Sequence, residues 1–220
     1  MFERIVEIYP ELLTALGQTF TMIAVAIPLA IAGGTPLGIL LYLWGPDGLS
    51  PRPKVHKVLD TAVNIARSFP FLILLIAIIP FTRLLVGTTI GTAAVIVPLT
   101  INAVPYFARF VEQNLTQLGQ GTVEAALAMG AKHRQVISHV LLVDAIPALV
   151  GSVTIMTVSF ISYSAMAGLV GGGGIGDFAI RYGYYRYETP LMVLAILLMI
   201  ALVSLVQVSG SRLSRALDKR

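Results

Sequence analysis

Val58-Leu59-Asp60-Thr61-Ala62-Val63-Asn64-Ile65-Ala66-Arg67-Ser68-Phe69-Pro70-Phe71-Leu72-Ile73-Leu74-Leu75-Ile76-Ala77-Ile78-Ile79-Pro80-Phe81 is the stretch whose reading decides the fold. It is long and apolar enough to cross a bilayer, yet one charge, Arg67, lies away from its ends. Suppose it spans. One side of the membrane then holds Arg52, Lys54, Lys57, Arg109, Lys132, Arg134, Arg212, Arg215, Lys219 and Arg220, ten basic residues against four (Arg4, Arg83, Arg181 and Arg186) on the other. If it does not span, the split is eight against seven. Lys and Arg concentrate in cytoplasmic loops, so only the spanning reading obeys the charge rule. Arg67 then sits in the inner half of this span. It either snorkels toward the cytoplasm, braces backbone freed by Pro70, or serves function as an intramembrane charge.

Four further spans follow from the charges on either side. No Asp, Glu, Lys or Arg occurs between Glu11 and Asp47, Arg83 and Arg109, Asp144 and Asp177, or Glu188 and Arg212, and each gap holds at least 23 residues. A helix rising about 1.5 Å per residue needs about 20 residues to cross the hydrocarbon core. The expected spans are 17–43, 58–81, 88–110, 145–168 and 190–209. Residues 1–16 become an extracytoplasmic segment, 17–209 the membrane domain and 210–220 a cytoplasmic tail. The N-terminal segment does not read as a cleaved signal, because Glu3, Glu7 and Glu11 outweigh Arg4 and the apolar run is too long. The runs are continuous rather than alternating, so they are helices and not barrel strands. Pro28, Pro36, Pro70, Pro80, Pro98 and Pro105 interrupt or bound them, with Gly33, Gly34 and Gly38 in the first. Close packing through small residues and kinks around a pathway both account for this pattern.

The composition agrees. Hydrophobic residues are 56% and charged residues 12% of 220, with a mean hydropathy of +0.86. A soluble surface needs about twice that charge, so a soluble enzyme and a disordered chain are excluded. The net charge of +4 reports basic loops rather than nucleic-acid binding. With no cysteine there is no disulfide, thiolate metal site or thiol nucleophile.

One cytoplasmic loop, about 111–144, is too long for a tight connection and too apolar for a linker. Glu124, Ala125, Ala126, Leu127, Ala128 and Met129 favour a helix, with Thr122 placed to cap it and Glu124 suited to its positive end. Gly130 is placed to end it in a left-handed conformation. Lys132 to Leu142 predicts a second helix with Val136, Ile137, Val140 and Leu141 on one face. The pair reads as a docking element, or as an amphipathic segment on the lipid surface.

Glu124-Ala125-Ala126-x-x-x-Gly130, with Val140-x-Leu142 beyond it, resembles the EAA signature of bacterial ABC importer permeases. The resemblance implies an all-α integral membrane protein with the type I ABC importer permease fold. It implies that Glu124, Ala125, Ala126, Met129, Gly130 and Ala131 couple the chain to a cytoplasmic ATPase. The family usually has Pro where this chain has Val143, which bears on how the second short helix exits. Arg67-Ser68-Phe69-Pro70-Phe71, Pro80-Phe81-Thr82-Arg83, Val86-Gly87-Thr88, Ile96-Val97-Pro98-Leu99, Tyr163-Ser164-Ala165-Met166 and Tyr182-Gly183-Tyr184 look like the permease of the bacterial methionine importer. That likeness implies a homodimer in the inner membrane, N-terminus periplasmic, with two ATPase subunits and an extracytoplasmic methionine-binding lipoprotein. It implies a pathway for D- and L-methionine that works by alternating access. ATP and Mg would bind the partner ATPase, and this chain would hold no cofactor.

Other patterns carry no chemistry. Gly171-Gly172-Gly173-Gly174-Ile175-Gly176 fits G-x-G-x-x-G, but a dinucleotide fingerprint needs a preceding strand, so a tight re-entry between spans is expected. No P-loop exists, so the chain cannot itself hydrolyse ATP by that route. His56, His133 and His139 read as solvated loop residues, not a metal site. A Ser/His/Asp hydrolase fails because Ser159, Ser162 and Ser164 lie deep in the fourth span. Asp60, Glu112 and Asp144 sit near the cytoplasmic boundary, which argues against an ion-coupled carrier, the reading from a different class. Catalytic residues are therefore expected to be absent. The run Tyr163, Ser164 and Met166 is expected to line a gate toward the outer half of the membrane, the soft Met166 sealing it on a two-fold axis. Packing within one subunit is the ordinary alternative for Met166.

Overall fold

The computed structural model describes residues 2–118 and 120–218; Met1, Gly119, Lys219 and Arg220 lie outside them, so two of the ten counted basic residues and both chain ends are not described. Every described regular element is helical. Four helices are long and apolar enough to cross a membrane: Glu7–Trp44, Thr92–Thr116, His133–Val170 and Thr189–Leu217. The first belongs to α1 (Phe2–Trp44), which carries Pro10, Pro28 and Pro36 without breaking. Residues 2–16 are thus a continuation of that helix rather than a separate segment.

The fifth expected span is not straight. It divides into α2 (Pro53–Ser68), α3 (Phe71–Ala77) and α4 (Ile79–Val86). The first two meet at 96°. The cause is local: Phe69, before Pro70, lies at φ −72 and ψ 124, the extended region that proline imposes on its predecessor. Only by counting this bent pair as one span does the molecule reach five. Arg67 therefore stands in the last turn of a helix, where its charge suits the negative end, and not in mid-helix.

Helix α5 (Thr92–Thr116) is the centre of the bundle and keeps Pro98 and Pro105 inside it. Along it runs a seam with α1 made by Gly33, Gly34 and Gly38. A Cβ on Gly34 would lie 2.8 Å from the Val104 carbonyl oxygen and 2.9 Å from Phe107 Cβ. Small residues here let two backbones meet, so the packing account of these glycines holds. Met22, Ala26 and Ala30 of α1 join Leu99, Ala103, Phe107 and Val111 of α5 in the main core.

Helix α8 (Leu142–Ala167) packs on α5, and α10 (Thr189–Leu217) packs on α8. Ser214 Oγ donates to the Pro147 carbonyl at 2.8 Å, and Asn114 Nδ2 to Ser152 Oγ at 2.9 Å. Between α8 and α10 the glycine-rich run folds back as a tight turn into α9 (Gly174–Phe178). Gly171, Gly173 and Gly174 all have φ between 77 and 85. The Gly174 N–H donates to Gln18 Oε1 and the Ile175 N–H to Thr19 Oγ1, so α1 secures the turn. Ile175 and Phe178 are buried against Ile8, Leu12 and Ala15.

The bundle has two distinct ends. One gathers the loop after Trp44, the segment from Leu115 to Glu124 and the end of α10. This is the basic end, with Arg52, Lys54, Lys57, Lys132, Arg134 and Arg212 near it. The other end gathers the start of α1, Gly91 and the glycine turn.

Candidate functional site

At the basic end, α6 (Gln120–Ala128) stands on the surface. It starts before Thr122, so Thr122 is inside the helix and does not cap it. Its termination is as expected. Gly130 has φ +85. The Ala131 N–H reaches back to the Ala126 carbonyl at 3.1 Å and the Gly130 N–H to Leu127 at 2.9 Å, the paired bonds of a Schellman cap. Nothing lies within 4 Å of where a Gly130 Cβ would sit, so only the backbone conformation demands glycine.

The helix has two faces. Val123 and Ala126 are buried in the main core with Val136 and Leu141. Glu124, Ala125, Leu127, Ala128 and Gly130 are exposed, and Met129 projects with 83% of its surface free. Ala126 thus leaves the expected contact set, because the face that fastens α6 to the bundle needs it. Ala131 is half-buried.

The second short helix does not end before the fourth span. Helix α7 (His133–Gln135) passes through a π-helical stretch, Val136–Leu141, directly into α8. Val143 lies inside this continuous stretch, as does Pro147 four residues on. The turn is held by Gln135 Oε1 accepting the Lys132 N–H at 2.8 Å. Beyond the turn, α6 is thus followed by one continuous helical segment, His133–Val170, that reaches the far end of the bundle.

A charge cluster between α2 and α5 escapes sequence reading. Arg109 of α5 donates to Asp60 at 2.5 Å, to Asn64 at 2.9 Å and to Glu112 at 2.6 Å. His56 Nε2 lies 3.6 Å from Glu112. Far from being a solvated loop residue, His56 is largely covered and belongs to the clamp between α2 and α5. Asp60 and Arg109 are 49 residues apart, so no local pattern could pair them. The signal available was that Asp60, Arg109 and Glu112 all fell at one predicted membrane boundary. Among the described residues no group of three His, Asp or Glu is placed to hold a metal ion.

Arg67 lies over the Tyr106 ring at 5.0 Å, while the Tyr106 hydroxyl reaches the Arg67 carbonyl at 3.4 Å. Its guanidinium Nε has no hydrogen-bond partner among the described residues. The expected brace at the Pro70 break thus comes from Tyr106 rather than from the Arg67 side chain.

The three expected gate residues separate. Ser164 is 1% exposed and donates to the Ile161 carbonyl. Tyr163 is stacked on Phe71 and edge-on to Phe160, both with centroids 5.0 Å apart. Both belong to the interior of this subunit. Met166 is 45% exposed, on one line with Ile155, Ser159 and Ser162, the exposed stripe of α8. A helix places residues three and four apart on one face, and that periodicity makes Ser162, not Ser164, the companion of Met166.

The described molecule is thus a bundle of apolar helices with an exposed helix-and-turn at its basic end, followed by a long spanning helix. The family described as binding-protein-dependent transport system inner membrane component matches residues 34–220, and this chain belongs to it. A probable D-methionine transport system permease protein MetI from Vibrio cholerae serotype O1 is 49% identical over 209 residues, 95% of this chain and 93% of that one. The D-methionine transport system permease protein MetI of Escherichia coli K12 is 47% identical over 135 residues, 61% of this chain and 62% of that one. A chain of the inward-facing MetNI methionine ABC transporter superposes with a TM-score of 0.95 at 40% identity, covering 97% of this chain and 99% of that one.

Proposed function

We propose that this chain is the permease subunit of a bacterial methionine importer, working in the inner membrane as a homodimer on two ATPase subunits. The observation that carries the reading is the exposed Glu124–Gly130 element. It is pinned from behind by Val123 and Ala126 and terminated by a glycine cap, with Met129 projecting as an apolar knob. Such a knob is left largely uncovered by the described residues and suits a groove on another protein. The substrate is inferred from relatives named for methionine transport, which match along nearly the whole chain. The partner ATPase binds ATP and Mg; an extracytoplasmic binding protein delivers the ligand.

The basic end is the cytoplasmic one, in keeping with the bias of Lys and Arg toward it. The N-terminus is then periplasmic and the C-terminus cytoplasmic. ATP binding moves the docked α6, and the continuous rod from His133 to Val170 carries the tilt to Met166. Met166 meets its counterpart on the two-fold axis and seals the periplasmic side by apolar contact.

The test is ATP hydrolysis by the chain co-purified with its ATPase. Methionine with the binding protein is expected to raise the rate. A rate unmoved by methionine, and raised by another amino acid, would replace the substrate.

A further inference from the structure

Polar side chains on α8 and α10 converge on a cleft of about 710 Å³, lined by Gly151, Ile155 and Ser159 from one helix and Gln207, Ser211 and Arg215 from the other. On α10, the residues Ser204, Gln207, Ser211 and Arg215 are all exposed and lie on one helical face. Exposed Val193, Ile196, Leu197 and Ile200 nearer its start are apolar, as a lipid-facing surface requires. Beyond its first turn the exposed polar side chains of α10 lie in the half nearer the basic end, these four on one face and Ser209 and Arg212 on others.

Gln207 is the telling residue. It precedes Arg212 by five positions, about 7.5 Å along the helix axis, and lies inside the helix Thr189–Leu217 that is long and apolar enough to cross a membrane. Its amide has about four hydrogen-bonding sites, and among the described residues it bonds none of the chain. Facing lipid, such a group is costly, because hydrocarbon offers no partner. Ser159 donates to its own helix at the Ile155 carbonyl, which leaves its oxygen able to accept from the cleft. Arg215 Nε donates to the Ser211 carbonyl, setting its charge at the basic mouth.

We propose that this cleft is the inner vestibule of the translocation pathway, filled with water and shaped for a zwitterionic amino acid. Gln207 Oε1 and Ser159 Oγ accept from the substrate ammonium. Gln207 Nε2 and Ser211 donate to its carboxylate. Ile155 and Val158 line the cleft beside the apolar side chain. From Ser159 the exposed stripe of α8 continues through Ser162 to Met166, so vestibule and proposed gate share one line of side chains. This rests on the reading of the chain as an amino-acid importer.

The experiment uses the cysteine-free chain in its complex with the ATPase and binding protein, reconstituted in liposomes. Gln207→Cys, Ser159→Cys and, as lipid-facing control, Val208→Cys are treated with a charged methanethiosulfonate reagent. The first two are expected to react about tenfold faster than the control, since only a hydrated thiol ionises. Gln207→Leu is expected to lower methionine uptake by about a hundredfold or more, because its hydrogen bonds to both charged groups of the substrate are lost. Equal reactivity at 207 and 208 would assign this face to lipid and overturn the proposal. So would a spontaneous disulfide between two Gln207→Cys copies that excludes the reagent, since the face would then be a subunit contact. Labelling reads the vestibule without reference to substrate. A wild-type complex that moves no methionine but keeps the labelling pattern would therefore contradict the methionine reading alone.

Discussion

Gly130 and Met166 show how far single residues carry the account. Gly130 adopts φ +85 with open space around it, so a side chain there meets no clash and only the conformational penalty. That penalty is about 1–2 kcal/mol for a residue with a Cβ. Gly130→Val is expected to distort the turn and abolish coupled uptake while the thermal unfolding of the bundle stays nearly unchanged; wild-type uptake by this variant would refute the turn's role. For Met166, mild oxidation of a Met166→Cys protein is expected to cross-link the dimer, with a yield that ATP binding alters. Absence of any cross-link, with normal flux in Met166→Ala, would return Met166 to ordinary packing. The left-handed glycine was legible in the sequence because a helix end is a local event. The fate of Ala126 was not, since the inward face of a short helix depends on Leu115, Val136 and Leu141 behind it.

At the scale of elements, four spans were readable from uninterrupted apolar runs, and the fifth only in part. The expected span 58–81 is divided among three helices, because Pro70 imposes an extended residue and a 96° bend that no hydropathy count can register. The bent element needs a clamp, and Arg109 provides it by holding Asp60 and Glu112 together. Arg109→Leu would leave two partly covered carboxylates without their partner. The expected loss is about 2 kcal/mol, below the range for fully buried pairs because Asp60 keeps about a third of its surface; unchanged melting in detergent would contradict it. A second clamp joins α1 to the segment after α9. The Tyr182 hydroxyl donates to Glu11 at 2.6 Å. That bond, followed by burial, raises the Tyr182 pKa above its ordinary value. Since the folded value is the higher one, this contribution is full below about pH 10 and is lost as pH rises through the folded pKa. Tyr182→Phe is therefore expected to lower the melting temperature near neutrality and to flatten its fall above about pH 10. A variant that keeps the wild-type alkaline profile would remove Tyr182 from that role.

For the whole molecule, the decisive property is continuity. The segment from His133 to Val170 runs unbroken from the exposed docking element to the far end of the bundle. In the proposed mechanism this continuity is what would carry a push at α6 to Met166. In the proposed assembly the partner ATPases supply the energy for that push, and a two-fold pair encloses a pathway for which four or five crossings of one chain are few. The most direct test of this account is uptake of radiolabelled methionine into liposomes carrying the chain, its ATPase and the binding protein. The account predicts accumulation that requires ATP on the side of the basic end and disappears in Gly130→Val. Accumulation by the chain alone, without ATPase or nucleotide, would contradict it.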